Sequence, residues 1–184
     1  MRIISGEFKS RKLDFKCSPT VRPMTDRMKE TLFNILGETV RGTQVLDLFA
    51  GSGSIGLEAL SRGAEQVVFV ESDPTNCKII FKNLESLGVG QRAKVVTADA
   101  FKAVKRLESE GKKYDLIFTD PPYNKGLMKN ILLDLDQSDI LSPHSRLICH
   151  HSAHEDLPDT LTSLLVERIK EIGQARLSFL YRKV

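Results

Sequence analysis

The stretch Val45-Leu46-Asp47-Leu48-Phe49-Ala50-Gly51-Ser52-Gly53-Ser54-Ile55-Gly56 decides the fold of this 184-residue chain. It begins as a short apolar run typical of a buried strand and ends in a helical pattern, with G-x-G-x-x-G between them. Glycines at such a turn let a ligand approach the backbone closely. The stretch therefore predicts a strand–turn–helix unit that binds a cofactor. A purely structural turn and a turn that binds NAD or FAD have the same spacing, so both alternatives stay open at this point.

Strand and helix patterns alternate outward from this unit. Nearly continuous apolar strands joined by helices predict a doubly wound, mostly parallel α/β sheet with both faces covered. Two strand-like runs near the end, 164–172 and 176–181, flank Gly173 and predict an antiparallel hairpin. The predicted strands before them are 45–49, 67–70, 94–97, 114–119 and 146–149, and the predicted helices are 25–36, 54–62, 73–87, 101–110 and 125–135.

The acidic residue inside the first strand favours S-adenosylmethionine over a dinucleotide, whereas the acid that ends the second strand is shared with NAD-binding sites and does not discriminate. Asp47 lies inside the first strand, where a carboxylate attracts the cationic amino end of S-adenosylmethionine and repels a pyrophosphate. Glu71 ends the next strand, where an acid binds ribose hydroxyls in this fold class. Asp99 follows the third strand and suits either an adenine amine or a helix N-cap, or both. The predicted cofactor-binding residues are Asp47, Phe49, Ala50, Gly51, Ser52, Gly53, Glu71, Ser72, Asp99, Ala100 and Phe101.

The tetrapeptide Asp120-Pro121-Pro122-Tyr123 follows the fourth strand and is predicted to be catalytic. An amino group on a heteroaromatic ring is a poor nucleophile because its lone pair is delocalised. A carboxylate and a backbone carbonyl that accept hydrogen bonds from this amine favour the transition state. Prolines hold the loop rigid, and Tyr123 offers a ring for base stacking. The pattern indicates methyl transfer to an exocyclic or amide nitrogen.

Positive charge is concentrated in the first 41 residues, which have nine Arg and Lys against five acids, a net +4, whereas the whole chain has +3. Residues 2–8 and 11–15 read as two short strands around a turn at 9–10. We expect residues 1–21 to form a basic β-hairpin that contacts RNA phosphates, ahead of a catalytic domain at 22–184. A solvated charged face is the alternative. The predicted RNA-binding residues are Arg2, Lys9, Arg11, Lys12, Arg22, Thr25 and Arg27.

The remaining composition excludes several classes of protein. Three well-separated cysteines form no C-x-x-C pair, so we expect neither a disulfide framework nor a zinc site. The N-terminus has no apolar signal core, and no apolar run approaches membrane-spanning length. A cytoplasmic monomer without a metal is therefore expected. The histidines at 150, 151 and 154 are interpreted as solvated residues of a loop or strand end.

Taken in order, these motifs resemble those of class I, Rossmann-like amino-methyltransferases. The segment 22–36, RPMTDRMKETLFNIL, and the N-terminal RIISGE and RKL narrow the resemblance to the ribosomal small-subunit methyltransferase D family. The resemblance covers nearly the whole chain. It implies a seven-stranded sheet, an N-terminal hairpin that helps hold RNA, and methylation of a 16S rRNA guanine at N2, within a ribosomal particle as the expected substrate.

Two other substrates fit the tetrapeptide. A DNA adenine-N6 methyltransferase uses the same chemistry, but the chain has no obvious domain for reading duplex sequence. A protein glutamine methyltransferase faces the same lone-pair problem, although such enzymes more often carry Asn at the first position of the motif. A non-enzymatic RNA-binding module is disfavoured by the intact Asp120 and the glycine-rich turn.

Overall fold

A computed structural model describes residues 1–15, 24–123 and 125–183. Its helices are α1 (Asp26–Leu36), α2 (Ser54–Ser61), α3 (Pro74–Leu87), α4 (Ala100–Ser109) and α5 (Leu127–Gln137), with 3₁₀ turns at Gly37–Val40 and Gly90–Arg92. Its strands are β1 (Gln44–Leu48), β2 (Gln66–Glu71), β3 (Ala93–Thr97), β4 (Tyr114–Thr119), β5 (Leu141–Ser152), β6 (Leu164–Ile172) and β7 (Ala175–Arg182).

The seven strands form one sheet in the order β3-β2-β1-β4-β5-β7-β6. Strands β1 to β5 are parallel, and β7 pairs antiparallel with both β5 and β6. The chain crosses from one half of the sheet to the other between β1 and β4, and this is where ligands bind in open α/β sheets. The doubly wound sheet and its C-terminal hairpin were both predicted correctly from the sequence.

Local signals explain where the helices begin. Thr25 caps α1 by accepting from the Met28 amide at 3.2 Å. Asp73 caps α3 by accepting from the Thr75 amide at 2.7 Å, with Pro74 at the first helical position. Asp99 caps α4. The three helices that these residues cap begin within two residues of the starts predicted from the sequence.

Two apolar cores cover the faces of the sheet. One contains the buried faces of α1, α2 and α3, and the other contains those of α4 and α5. Gly56 in α2 allows close packing, because a Cβ at this position would lie 2.3 Å from a ring carbon of Phe69 on β2. This close approach holds the start of α2 against the sheet at the glycine-rich turn.

The N-terminal residues form an arm, residues 1–15, that is less regular than the predicted hairpin. The chain reverses, but only one antiparallel bridge is present, between Arg2 and Lys12. Residues 5–10 form bends and turns where the sequence predicted that a strand would extend to Phe8. That strand is absent because the amides of Ile4 and Ser5 donate to the Glu58 carboxylate on α2, at 2.7 and 3.0 Å.

Buried charges anchor this arm. Lys29 on α1 is fully buried and donates from Nζ to the Arg2 carbonyl at 2.7 Å. Burial lowers the pKa of Lys29, and the nearby Glu58 partly offsets this. Glu58 is also fully buried and pairs with Arg62 at 2.8 Å. The arm adds Ile3 and Leu13 to the core, so it is packed against the α/β sheet and its helices.

Within the described residues, every helix is too short or too polar to span a lipid bilayer.

Candidate active site

The predicted site residues converge where three neighbouring parallel strands end. In β1, Leu48 is opposite Val70 of β2 on one side and Thr119 of β4 on the other. The three segments that follow these strands therefore leave the sheet side by side. The carboxylates of Glu71 and Asp120 lie close enough to that of Asp47 to raise its pKa. This edge of the sheet is acidic and suits a cationic ligand.

The glycine-rich turn has the conformation that its sequence requires. Gly51 and Gly53 have φ of 55° and 78°, a region that residues with side chains rarely adopt. Gly53 is packed against Ile80 and Phe69, whereas a Cβ on Gly51 would meet nothing within 4 Å. The outer side of the turn, at Gly51, is therefore open for a ligand to approach the backbone.

Asp47 holds this turn against α2. Its Oδ2 accepts from the Gly56 amide at 3.0 Å, and the side chain is buried. Burial raises its pKa to about 7, with smaller contributions from Asp120 and Glu71. The predicted interaction of Asp47 with the amino end of the cofactor stays a prediction, and the structure adds this structural role.

Glu71 joins the ends of two strands. One carboxylate oxygen accepts from the Gly51 amide and the other from the Asp73 amide, both at 2.7 Å. The side chain is only 9% exposed, and Ser72 beside it is exposed. Glu71 thus joins the glycine-rich turn to the end of β2, and its contact with ribose hydroxyls stays a prediction.

Asp99 and two aromatic residues border the third loop. Asp99 is exposed and accepts from the Lys102 amide at 3.2 Å, which confirms the helix cap. Phe101 meets Phe49 edge-to-face, with ring centroids 6.4 Å apart. Phe49 has φ of 59°, which is strained for an aromatic residue. The adenine contacts of Asp99, Ala100 and Phe101 remain predictions, and this apolar pair is suited to pack on a flat ring.

The tetrapeptide lies next to β5, and the sequence did not predict this contact. Asp120 has 25% of its side chain exposed, and its Oδ1 lies 2.7 Å from Nδ1 of His150. The Tyr123 hydroxyl lies 2.7 Å from Nε2 and 3.3 Å from Nδ1 of the same histidine. The two rings meet nearly at right angles with centroids 5.4 Å apart. Burial, together with Asp120 and Glu155, raises the pKa of Tyr123, which keeps its hydroxyl protonated.

The interpretation of His150 and His151 as solvated residues is wrong. Both are buried, at 4% and 1% exposure. His151 contacts the Ser178 hydroxyl at 2.8 Å and the backbone carbonyls of Ser152 and Glu155. The sequence predicted a strand at 146–149, but only the register of β5 against β4 places His150 beside Asp120. The third histidine, His154, is exposed as expected.

The predicted RNA-binding residues that the structure describes lie in different settings. Lys9 and Lys12 are exposed on the arm. Arg11 is also exposed and donates to the Ser86 carbonyl on α3 at 2.7 Å, while Arg2 pairs with Asp26 at 3.1 Å. Exposed Thr25 and Arg27 flank the start of α1. The prediction for Arg22 falls outside the described residues.

The residues present fit S-adenosylmethionine in several respects. The open backbone at Gly51 suits its methionine, the acidic edge suits its positive charge, and the Phe49–Phe101 pair suits its adenine. In the described part of the chain, no three His, Cys, Asp or Glu side chains come together as a group that could hold a metal ion.

Comparison with known proteins identifies the class and then the family. The strand order and solved relatives define a class I, Rossmann-like methyltransferase fold. The yhhF protein of Escherichia coli superposes with a TM-score of 0.86 at 33% identity, covering 100% of this chain and 98% of that one. Residues 1–181 match the family model described as "Conserved hypothetical protein 95".

Two curated relatives are named ribosomal RNA small subunit methyltransferase D. The Escherichia coli K12 protein is 36% identical over 95% of this chain and 86% of its own length. The Haemophilus influenzae protein is 36% identical over 96% and 92%. The chain belongs to this methyltransferase D family, as the motifs at the N-terminus and around Asp120 predicted.

Proposed function

We propose that this protein transfers a methyl group from S-adenosylmethionine to the exocyclic N2 of a guanine in small-subunit ribosomal RNA. The observation that carries the proposal is the position of Asp120-Pro121. It follows β4 directly, beside the glycine-rich turn of β1 and the Glu71 end of β2. The acceptor groups for an amine and the predicted cofactor residues therefore share one edge of the sheet.

The cofactor, when bound, supplies a methyl group on a sulfonium sulfur, which keeps the bonding electrons as the methyl group leaves. The chain's task is to bind and orient it. The open backbone at Gly51 accommodates its amino-acid end, and the acidic edge formed by Asp47, Glu71 and Asp120 favours its positive charge. We expect Glu71 to accept hydrogen bonds from the ribose hydroxyls, Asp99 to accept from the adenine amine, and the Phe49–Phe101 pair to pack against the adenine ring.

Asp120 and Pro121 act on the acceptor nitrogen. Its two N–H groups donate to the Asp120 carboxylate and the Pro121 carbonyl, which draws the lone pair out of the ring and towards the methyl group. These bonds strengthen as positive charge develops on nitrogen, so they stabilise the transition state more than the ground state. Once the C–N bond has formed, the nitrogen loses one proton to the Asp120 carboxylate and then to water.

Tyr123 provides a surface for the target base. Its hydroxyl is held by His150 and the ring is only partly buried. Base–aromatic stacking contributes about 1–3 kcal/mol. A nitrogen inside a helix is hard to reach, so we expect the guanine to lie in a loop or to flip out of its stack.

The names of the relatives and the charge of the arm support ribosomal RNA as the acceptor. Two relatives at 36% identity are named for small-subunit ribosomal RNA methylation. The exposed Lys9, Arg11 and Lys12 present positive charge beside the fold, as phosphate binding requires. Guanine N2 rests on the family resemblance, and an assembling ribosomal particle is the proposed form of the substrate.

Labelled S-adenosylmethionine tests the proposal when it is incubated with the protein and one of four acceptors. These are naked small-subunit RNA, small ribosomal particles, duplex DNA and a release-factor protein. We expect label in RNA or particles, located on guanine N2 by digestion and mass spectrometry. Label confined to DNA adenine or to protein glutamine would overturn the assignment of substrate.

A further inference from the structure

His150 links the catalytic tetrapeptide to the sheet. It lies near the end of β5, is 4% exposed, and contacts Asp120 through Nδ1 and Tyr123 through Nε2, both at 2.7 Å. Thirty residues of chain separate it from Asp120, so the parallel pairing of β4 with β5 brings the two together. Both functional side chains of the loop are therefore held by one residue outside it.

Hydrogen-bond chemistry assigns the donor and the acceptor between His150 and Asp120. An ionised carboxylate only accepts, so Nδ1 of His150 carries the hydrogen and donates to Asp120. The Tyr123 hydroxyl lies 2.7 Å from Nε2 and 3.3 Å from Nδ1, which places it over the face of the imidazole, nearest to Nε2. Burial holds Tyr123 protonated, which suits the role of donor. The tautomer with its hydrogen on Nδ1 therefore satisfies the contact with Asp120 and leaves Nε2 as the acceptor nearest to the Tyr123 hydroxyl.

We propose that His150 is a positioning residue for methyl transfer: it occupies Oδ1 of Asp120, aims Oδ2 at the substrate amine, and fixes the Tyr123 ring for stacking. The inference rests on the proposed function, because the value of this geometry lies in the amine that Asp120 accepts from. His150 transfers no proton in this role, because its Nδ1 already donates to Asp120 and the tyrosine hydroxyl lies against Nε2.

The physical benefit is orientation before the substrate arrives. Without His150, the Asp120 carboxylate, which is 25% exposed, is free to rotate towards solvent, and Tyr123 loses its hydroxyl partner. A displacement of about 1 Å at a reacting centre costs on the order of 100-fold in rate. Hydrogen bonds to charged groups in a buried setting are stronger than neutral ones, so this contact restrains Asp120 effectively.

The chain provides a matched control in the next residue. His151 is equally buried, but its partners are Ser178 and the carbonyls of Ser152 and Glu155. It touches neither Asp120 nor Tyr123 in these contacts. Replacement of His151 disturbs β5 and β7 without disturbing the tetrapeptide, so it separates a structural effect from a positioning effect.

The test compares His150→Leu, His150→Asn and His151→Asn in single-turnover methylation and thermal unfolding. We expect His150→Leu to lower the methyl-transfer rate by about 10–100-fold, with the KM for S-adenosylmethionine within about threefold of wild type. His150→Asn, whose amide can replace the Nδ1 donor, should recover most of the rate. His151→Asn should lower the melting temperature and leave the rate of folded protein near wild type. A folded His150→Leu variant with a rate within twofold of wild type would overturn the proposal.

A readout independent of activity covers the case in which a variant does not fold. Nitrogen-15 NMR of the four histidines, assigned with His150→Asn or His150→Leu, should show Nδ1–H and unprotonated Nε2 at His150. A His150 with its hydrogen on Nε2 and none on Nδ1 in the wild-type protein would contradict the proposal. If the acceptor is DNA or protein, the substrate assignment fails, but the same variants measured on that acceptor still decide the role of His150.

Discussion

Asn83 on α3 forms a two-way pair with the backbone of Asp14 on the arm. Its Oδ1 accepts from the Asp14 amide at 2.8 Å, and its Nδ2 donates to the Asp14 carbonyl at 3.0 Å. The same Nδ2 also lies 3.3 Å from the Ser52 carbonyl in the glycine-rich turn. Asn83 is 2% exposed. One buried amide therefore joins the proposed RNA-binding arm to the proposed cofactor loop.

Replacement of Asn83 by Ala should loosen both segments. Loss of these bonds leaves partly buried backbone groups unpaired, at about 1–3 kcal/mol in the free energy of unfolding. We also expect weaker binding of S-adenosylmethionine, because Ser52 loses a restraint. Urea unfolding and calorimetric titration measure the two effects. Asn130→Ala on the exposed face of α5 is the control, and equal stability of the two variants would contradict this coupling.

The arm meets α2 so closely at Gly6 that any side chain there should displace it. Gly6 has φ of 86°, and a Cβ would lie 1.9 Å from the Ser61 carbonyl oxygen. Gly6→Ala should therefore disrupt the hydrogen bond from the Glu7 amide to that oxygen, now 2.8 Å, and cost about 2–4 kcal/mol in unfolding free energy. Gly42→Ala is the matched control, because Gly42 also has positive φ (73°) but has nothing within 4 Å. This variant should lose only about 1 kcal/mol of unfolding free energy, because an alanine at positive φ is strained. Similar losses in urea unfolding of both variants would show that the arm does not pack here.

Asp47 should make stability fall as pH rises. Burial raises its folded-state pKa to about 7 from an ordinary value of 3.8, so the folded protein binds this proton more tightly than the unfolded chain. The contribution is most favourable below pH 4 and declines between pH 4 and 7. Asp47→Asn keeps an acceptor for the Gly56 amide and removes the buried charge. The unfolding free energy of the variant relative to wild type should therefore increase as the pH rises from 4 to 8, by at most about 4 kcal/mol.

Asp136 provides the opposite case in the same titration. Burial alone raises its pKa, but amide hydrogen bonds from Thr162, Ser163 and Leu164 outweigh burial and lower it. Its contribution is present above the unfolded pKa and is lost as pH falls through the lower folded value. Asp136→Asn should thus lose stability relative to wild type as pH rises from acid to neutral. Parallel trends for the two variants in denaturant unfolding would refute this assignment of signs.

Much of the fold was predictable because its signals are local. The strands around Asp47 read as apolar runs, and capping residues such as Asp73 and Asp99 marked helix starts within a few positions. The site was predictable to the extent that strand ends share one edge of a parallel sheet. The role of His150 was not, because it depends on the register between β4 and β5. The shape of the arm depends on Glu58, more than fifty residues away, a contact that no local pattern encodes.

The arm lysines should control how RNA binding depends on salt. Each phosphate contact contributes about 0.7–0.9 to the slope of log K against log salt concentration. The double variant Lys9→Ala/Lys12→Ala should lower that slope by about 1.5 and weaken RNA binding across sequences. Fluorescence anisotropy with labelled RNA at several salt concentrations measures it. Lys105→Ala/Lys129→Ala removes the same charge from exposed positions on α4 and α5, which cover the other face of the sheet from the arm, and should keep the slope. Identical slopes for the two double variants would argue against phosphate contacts at the arm.

Asp120 should matter for methyl transfer and little for cofactor binding. Asp120→Ala removes one of the two acceptors for the substrate amine, and loss of one preorganised hydrogen-bonding group at a reacting centre costs on the order of 100–1,000-fold in rate. Single-turnover methylation should show this loss, while calorimetry shows a Kd for S-adenosylmethionine within about threefold of wild type. Asp115 on the same strand provides the control, because its carboxylate accepts from the Gln44 amide at 2.8 Å at the far end of β4. Asp115→Ala should lower stability and spare the rate of the folded protein. If Asp120→Ala loses cofactor affinity in proportion to rate, then Asp120 binds the cofactor, and the acceptor for the amine must be sought elsewhere on this edge of the sheet.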